Sequence, residues 1–195
     1  MGPINTHDPA TAAETYTVTL GWPIAIGHRY RPRGGCTCSN PTCPTPGAHP
    51  LPGALAVAAR ALPGSELAAA PGAALIATTA ACDALVMPRR IGMATMVSLD
   101  RVAPVPCLID SSRAFLLVLP ATGRYALGGR TGSAVELRSG PQQWIALPPS
   151  NGTRWDTPPW NEQTNDPIPL LHGGDVRAHL TEALAYEAAA GRRQP

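Results

Sequence analysis

Three thiols and one imidazole lie within one short stretch of the chain, Cys36-Thr-Cys38-Ser-Asn-Pro-Thr-Cys43-Pro-Thr-Pro-Gly-Ala-His49-Pro50. Zinc prefers four soft or borderline ligands in a tetrahedron, and ligands that are close in sequence let a short loop surround the ion. The spacing C-x-C-x4-C-x5-H meets this need, and the prolines stiffen the loop, which lowers the entropy lost when the ligands converge. The pattern therefore predicts a structural zinc site in a loop over 34–50, with four ligands: Cys36, Cys38, Cys43 and His49.

Free thiols and disulfides are the alternatives for these cysteines. The chain has five cysteines, an odd number that does not pair completely. The first twenty residues lack the charged start and apolar core of a secretory signal, so a reducing cytoplasm is the expected location and disulfides are disfavoured. The remaining two, Cys82 and Cys107, stand singly among apolar residues and are predicted to be ordinary buried cysteines.

The composition indicates one domain over residues 1–195, long enough to bury a core. The net charge is only +2, which by itself does not indicate a nucleic-acid-binding protein. No apolar run reaches the roughly 18 residues that a membrane helix needs. The sequence therefore predicts a protein without a membrane-spanning segment.

Helical and strand-forming patterns alternate along the chain. Helices are predicted over 10–20, 54–62, 91–102 and 175–190, from capping residues and apolar spacing. Strands are predicted over 22–26, 105–109, 114–119, 133–138 and 143–147. The apolar runs 74–78 and 84–87 could be two strands or one hairpin, and their type is ambiguous because alanine has little strand preference. After Pro148-Pro149 the pattern becomes irregular, and Trp155 and Trp160 are expected in surface loops. There they could contact a partner, or they could only pin the loop to the domain. The expected fold class is α+β, with a mixed or antiparallel central sheet flanked by helices and the zinc-binding loop as an insert.

Four segments of the chain, in order, match a known family. They are Gly-Trp-Pro-Ile at 21–24, the cysteine-rich loop at 36–50, Ala-Leu-Val-Met-Pro at 84–88, and Glu-Leu-Arg-Ser-Gly at 136–140 leading to Trp-Ile-Ala-Leu-Pro-Pro-Ser at 144–150. Over roughly residues 10–160 the chain resembles the bifunctional DNA primase/polymerase domain of the archaeo-eukaryotic primase superfamily, in its short actinobacterial form. The resemblance implies a primase/polymerase-like fold and a role in DNA replication.

The resemblance also implies where catalysis would take place. Polymerisation in that superfamily uses divalent metals held by a pair of acids and a third acid, because Mg²⁺ and Mn²⁺ take hard oxygen ligands. Here the paired acids fall on Leu85 and Met87, which cannot bind magnesium, and only Glu136 matches the third acid. The nucleotide-contacting Gly-Gly-x-His segment corresponds to residues 111–114, where the histidine is absent. The expectation is a degenerate catalytic centre.

Two alternatives remain open from the sequence. One is an active primase or polymerase in which Asp83, Asp110 and Glu136 surround one Mg²⁺ or Mn²⁺ ion. For Asp83 and Asp110, turn formation at strand ends is the favoured interpretation. The other alternative is a zinc-stabilised module for protein interaction, without a role in nucleic-acid binding.

A primase/polymerase-like domain that no longer holds catalytic metals can still bind a ligand in the groove where they were held. Single-stranded DNA or RNA, or a nucleotide, is the expected partner, and a protein partner is the alternative. Trp144 could stack on a base, although its alternation with Ala146 favours a core position. The candidate phosphate-binding residues, whose guanidinium groups form forked hydrogen bonds, are Arg89, Arg90, Arg113 and Arg138. The alternative for these arginines is a solvated charged face.

Overall fold

One seven-stranded sheet organises the chain. The computed structural model describes residues 4–57, 64–129 and 134–191. The strands are β1 Ile24–Arg31, β2 Gly35–Cys36, β3 Ala73–Pro88, β4 Cys107–Ile109, β5 Arg113–Val118, β6 Glu136–Leu147 and β7 Arg154–Thr157. The helices are α1 Pro9–Glu14, α2 Gly64–Ala69, α3 Arg89–Leu99, α4 Gly123–Leu127 and α5 Gly173–Gly191, with a π-helical turn Thr15–Thr19 after α1 and a 3-10 turn Ala54–Val57 before α2.

The long strand β3 is the centre of the sheet. It pairs with β1 along its first half and with β5 along its second half, while β6 pairs with both halves. The strand order is β2-β1-β3-β5-β4-β7, with β6 joined to β3, and every pairing is antiparallel. The predicted α+β class with an antiparallel sheet and flanking helices is confirmed.

The two faces of β3 over residues 84–87 belong to different hydrophobic clusters. Leu85 and Met87 pack in the cluster that contains residues of α3 and α5. Ala84 and Val86 belong to the other cluster, with Tyr16, Trp22 and Trp160. Since successive strand residues point to opposite faces, we call the first the helix-covered face and the second the groove face.

Two pairs of predicted strands are each one continuous strand. The segments 74–78 and 84–87 are both part of β3, which runs without a break from Ala73 to Pro88. Between them Thr79 pairs with Gly140 of β6 and Asp83 pairs with Val118 of β5. The segments 133–138 and 143–147 are joined as β6, which begins at Glu136. Ala134 and Val135 precede the strand, and Ser133 lies outside the described residues. A register shift at Gly140, whose φ is 86°, absorbs the Gly-Pro sequence that predicted a turn.

The helix predictions differ in their outcome. Asp8 caps α1 as expected, since its carboxylate accepts a hydrogen bond from the Thr11 N–H at 2.8 Å. The predicted helices 91–102 and 175–190 correspond to α3 and α5. Of the predicted helix 54–62, residues 54–57 form a 3-10 turn and the remainder lies outside the described residues. None of the described helices is long and apolar enough to cross a membrane.

The tryptophans after Pro149 are packed against the domain, so they pin this segment, which was the alternative to free surface loops. Trp155 lies in β7, and its indole N–H donates to the Tyr16 hydroxyl at 3.1 Å. Trp160 is only 4% exposed and lies beside both rings. The aromatic cluster forms between segments far apart in sequence, so local pattern did not indicate it.

Candidate metal centre and groove

The structure brings together the four residues of the predicted zinc site. Their ligand atoms all lie within 4.8 Å of one another. The His49 Nε2 atom lies 3.2 Å from the Cys36 Sγ and 3.4 Å from the Cys43 Sγ. Zn–S bonds of about 2.3 Å place neighbouring atoms of a tetrahedron about 3.8 Å apart, so Cys36, Cys38, Cys43 and His49 fit one metal ion such as zinc.

The cysteine loop lies directly on strand β1, and two glycines make this close approach possible. A side chain at Gly27 would collide with the carbonyl oxygen of His49 and with Ile76. Gly47 has a φ of 66° and lies against the backbone of Tyr30. Any larger residue would push the loop away from the sheet, so the glycines fix where the metal centre lies.

The thiols of the centre differ in how readily they ionise. Burial opposes ionisation of the Cys36 thiol, but hydrogen bonds from the Cys38 and Gly47 N–H groups and from His49 outweigh it and lower its pKa to about 6. Burial and the neighbouring Cys38 and Cys36 thiols raise the pKa of Cys43 to about 11. Because metals bind thiolates, an ion at this centre displaces the proton that Cys43 otherwise retains.

A cavity of about 270 Å³ lies beside the cysteine loop. Residues 44–46 and Ala48 of the loop form one wall, and residues 110–113 and 151–153 form the others. Phe115, Arg138, Trp144 and Ala146 also line it. Phe115 lies directly opposite Val86 across the strands, so the cavity lies on the groove face. We refer to this cavity as the groove.

Two predicted arginines converge in the groove. The guanidinium carbon of Arg113 lies 5.1 Å from the centre of the Phe115 ring, and that of Arg138 lies 5.7 Å from the same ring. Arg138 also lies over Trp144, at 5.2 Å. Each arginine thus contacts an aromatic ring at a distance typical of cation–π pairs, and Phe115 joins them.

Each of these arginines is also paired with a carboxylate. Arg113 contacts Asp110 at 2.7 Å and Arg138 contacts Glu136 at 2.8 Å. Arg138 donates a further hydrogen bond to the carbonyl of Trp144 at 3.0 Å. The charges therefore largely cancel within the groove, and the guanidinium groups are held in fixed orientations.

The three candidate catalytic acids do not form a metal site. Asp83 is buried on the helix-covered face, opposite Val118, where its carboxylate accepts hydrogen bonds from the Gly123 N–H at 2.7 Å and the Ser139 hydroxyl at 2.6 Å. Asp110 and Glu136 are each paired with an arginine. Within residues 4–57, 64–129 and 134–191, the cysteine–histidine cluster is the only group of metal-ligating side chains that converges.

The positions assigned to the paired acids face away from the groove. Leu85 and Met87 are buried in the helix-covered cluster, whereas Ala84 and Val86 occupy the groove face of the same strand. Acids that face the groove from β3 would therefore have to stand at positions 84 and 86. The side chains of Ala84 and Val86 carry no oxygen, so assigning the paired acids to these positions instead of 85 and 87 restores no metal site.

The other two predicted arginines lie outside the groove lining. Arg90 is exposed at the start of α3 and forms an ion pair with Glu187 of α5. The backbone N–H of Arg89 donates to the Ser112 carbonyl at 2.8 Å. Arg89 and Arg90 therefore do not join Arg113 and Arg138 in lining the groove.

The prediction that Trp144 belongs to the core is wrong. Its side chain is half-buried and lines the groove, because its neighbours Ile145 and Leu147 take the core positions of β6. Sequence analysis also missed Phe115 and Asn151. Asn151 follows the Pro-Pro-Ser sequence, and its side-chain amide donates to the Pro46 carbonyl at 2.9 Å, which joins two walls of the groove.

Comparisons of the chain with protein-family models, with curated proteins and with solved structures find no significant match. The function of this chain therefore has to be inferred from the chemistry of the metal centre and the groove.

Proposed function

We propose that this chain is a primase/polymerase-like domain protein that has lost catalysis and binds a nucleotide or single-stranded nucleic acid in its groove. The principal observation is the convergence of Arg113 and Arg138 on Phe115, with Trp144 beside them. Single-stranded nucleic acids are bound by aromatic rings that stack on bases and by cations that contact phosphates. Both groups are present in this groove.

The two arginines have different roles in this proposal. Arg138 is only 12% exposed and is held by Glu136 and by the Trp144 carbonyl, so it positions the Trp144 ring. The Arg113 side chain is 32% exposed, which makes it the more accessible cation. A phosphate oxygen would compete with Asp110 for this guanidinium, and Arg113 is therefore the phosphate contact.

The proposed loss of catalysis follows from the lack of carboxylates that are free to bind a metal ion. Metal-assisted phosphoryl transfer requires oxygen ligands placed in advance around the ions. Ala84 and Val86 supply none, and Asp110 and Glu136 are neutralised by arginines. The residues of the groove thus support binding and not nucleotide transfer.

We further propose that the ion of the cysteine loop is zinc and that its role is structural. Three thiolates and one imidazole are a ligand set that zinc prefers, and four protein ligands leave no position open for water. When bound, the ion supplies cross-links within a loop that has little apolar anchoring. The loop residues 44–46 and Ala48 then form a fixed wall of the groove.

The proposal is tested by the fluorescence anisotropy of a fluorescein-labelled oligo(dT) titrated with the protein at several salt concentrations. We expect binding at low salt that weakens as salt increases. Trp144→Ala should weaken binding by about 1–3 kcal/mol, and Arg113→Ala should reduce the slope of log K against log salt by about one. Arg90→Ala is the matched control, because Arg90 is exposed but lies outside the groove, and it should bind as the parent protein does.

Absence of binding at low salt would refute the nucleic-acid proposal and favour the protein-interaction alternative. Catalysis is tested separately, by incorporation of a labelled nucleotide on a primed template with Mg²⁺ or Mn²⁺. We expect no incorporation. Incorporation that disappears in Glu136→Ala would show that the protein is an active polymerase.

A further inference from the structure

The groove wall formed by the cysteine loop lies between two metal ligands. Its residues, 44–46 and Ala48, stand between Cys43 and His49 in sequence. The path of this short segment is therefore set at both ends by groups that a metal ion would hold. No residue of 37–50 belongs to either hydrophobic cluster, so the core does little to fix the wall.

Hydrogen bonds connect this wall to the rest of the groove. The side-chain amide of Asn151 donates to the Pro46 carbonyl at 2.9 Å, and the Asn151 backbone N–H donates to the Gly47 carbonyl at 3.3 Å. On the other side, the His28 N–H donates to the His49 carbonyl at 2.8 Å. These bonds join the metal-ligating segment to β1 and to the opposite wall, which Asn151 lines.

We propose that metal occupancy of the cysteine–histidine centre controls ligand binding in the groove. This inference rests on the proposed function, because it concerns the same groove. With the ion bound, the wall is held against Asn151 and the groove keeps its shape. Without the ion, only hydrogen bonds and the close contact of Gly47 and His49 with β1 hold a proline-rich segment. The wall then moves, and the ligand loses contacts. Since coupling between two sites is reciprocal, the groove ligand increases metal affinity by the same factor.

The experiment compares the full chain loaded with zinc, the same chain treated with a chelator, and the treated chain after zinc is restored. Affinity for fluorescein-labelled oligo(dT) is measured by anisotropy, and amide hydrogen exchange is measured without oligonucleotide. We expect at least fivefold weaker binding after zinc removal and recovery when zinc returns. The His28 and Asn151 amides should exchange faster without zinc, while the Leu85 amide on the helix-covered face should not change.

A variant separates coupling from general destabilisation. Asn151→Ala keeps all four metal ligands but removes the side-chain bond to Pro46, so it should bind zinc normally and show a smaller effect of zinc on oligonucleotide affinity. Gln163→Ala, at an exposed position outside the groove lining, is the control and should retain the full effect.

The outcomes distinguish this inference from the proposed function. Equal affinity with and without zinc would overturn the coupling and leave the proposed function intact. If the zinc-loaded chain does not bind oligonucleotide, the proposed function fails, and hydrogen exchange decides the coupling. Faster exchange at both amides supports a metal-dependent wall, and unchanged exchange overturns it.

Discussion

The two faces of strand β3 are built from neighbouring residues but are organised differently. On the helix-covered face, Leu85 and Met87 are sealed beneath α3 and α5, and the polar Asp83 is fully hydrogen-bonded. On the groove face, Val86 and Phe115 border arginines that pair with carboxylates and aromatic rings. The paired cations and aromatic rings therefore lie beside one face only, and a shift of one residue along the strand exchanges one hydrophobic cluster for the other.

The largest effect that tests this contrast is expected when a carboxylate is introduced on each face. Leu85→Asp should cost more than about 4 kcal/mol, because it buries a charge without a partner. Val86→Asp should cost roughly half as much, since Val86 borders a cavity that Arg113 also lines. Urea denaturation of both variants gives the comparison. Equal losses of stability would show that the two faces are not distinct in the way described.

Removal of the Asp83 carboxylate is expected to have the next largest effect. Asp83→Ala leaves the Gly123 N–H and the Ser139 hydroxyl without their acceptor, at a cost of about 2–4 kcal/mol. Asp83→Asn, which keeps one acceptor oxygen, should lose less. Urea unfolding measures both losses, and hydrogen exchange at the Gly123 amide locates the change. Faster hydrogen exchange at groove amides with unchanged exchange at Gly123 would contradict a role for Asp83 on the helix-covered face.

Removal of the metal should affect the groove side alone. We expect a chelator, or the double variant Cys36→Ser with Cys43→Ser, to lower the melting temperature by roughly 5 °C. Pro41→Ala, at an exposed position in the same loop that supplies no ligand, should leave the zinc content unchanged and lower the melting temperature by less, because it removes only the stiffening effect of one proline. Zinc content is measured by mass spectrometry and melting by circular dichroism. If the double variant keeps both values, these cysteines do not bind the ion.

The smallest effect is expected from an ion pair at the rim of the groove. Burial opposes ionisation of Asp110, but hydrogen bonds from the Ser112 N–H and from Arg113 outweigh it and lower the pKa of Asp110. Its contribution to stability is therefore present above its ordinary pKa and is lost as the pH falls through the lower value of the folded state.

Asp110→Asn should cost about 1–2 kcal/mol near pH 7. The difference from the parent chain should shrink in acid, as the parent loses the contribution of the ionised carboxylate. Urea unfolding of Asp110→Asn and the parent chain, near pH 7 and in acid, measures this difference in stability. A difference that does not change with pH would show that the charge of Asp110 is not responsible.

The metal centre was more predictable than the groove for a physical reason. Its four ligands lie in one loop, so their spacing is visible in the sequence. Phe115, Arg113 and Arg138 come together only through the pairing of β5 and β6 with β3. A one-dimensional pattern does not contain that register, and the prediction therefore grouped Arg89 and Arg90 with arginines that the sheet places elsewhere.

Tertiary pairing also decided the elements that local propensity misassigned. The middle of β3 is rich in alanine, which has little strand preference, yet Thr78 and Thr79 are buried and paired with β6. Helix α4 lacks a side-chain cap of its own, and its first N–H is bonded by the distant Asp83. The helices α3 and α5 were predictable because their ends and apolar spacing are local.

The register shift in β6 has a consequence for self-association. In the part of the chain that the structure describes, β6 pairs only with β3, so its other edge resembles the exposed strands through which proteins aggregate. Gly140 bends this strand, and Pro141 beside it has no N–H to donate to another chain. A second strand cannot form a continuous ladder across this point, and the interruption therefore disfavours edge-to-edge pairing along the whole length of β6.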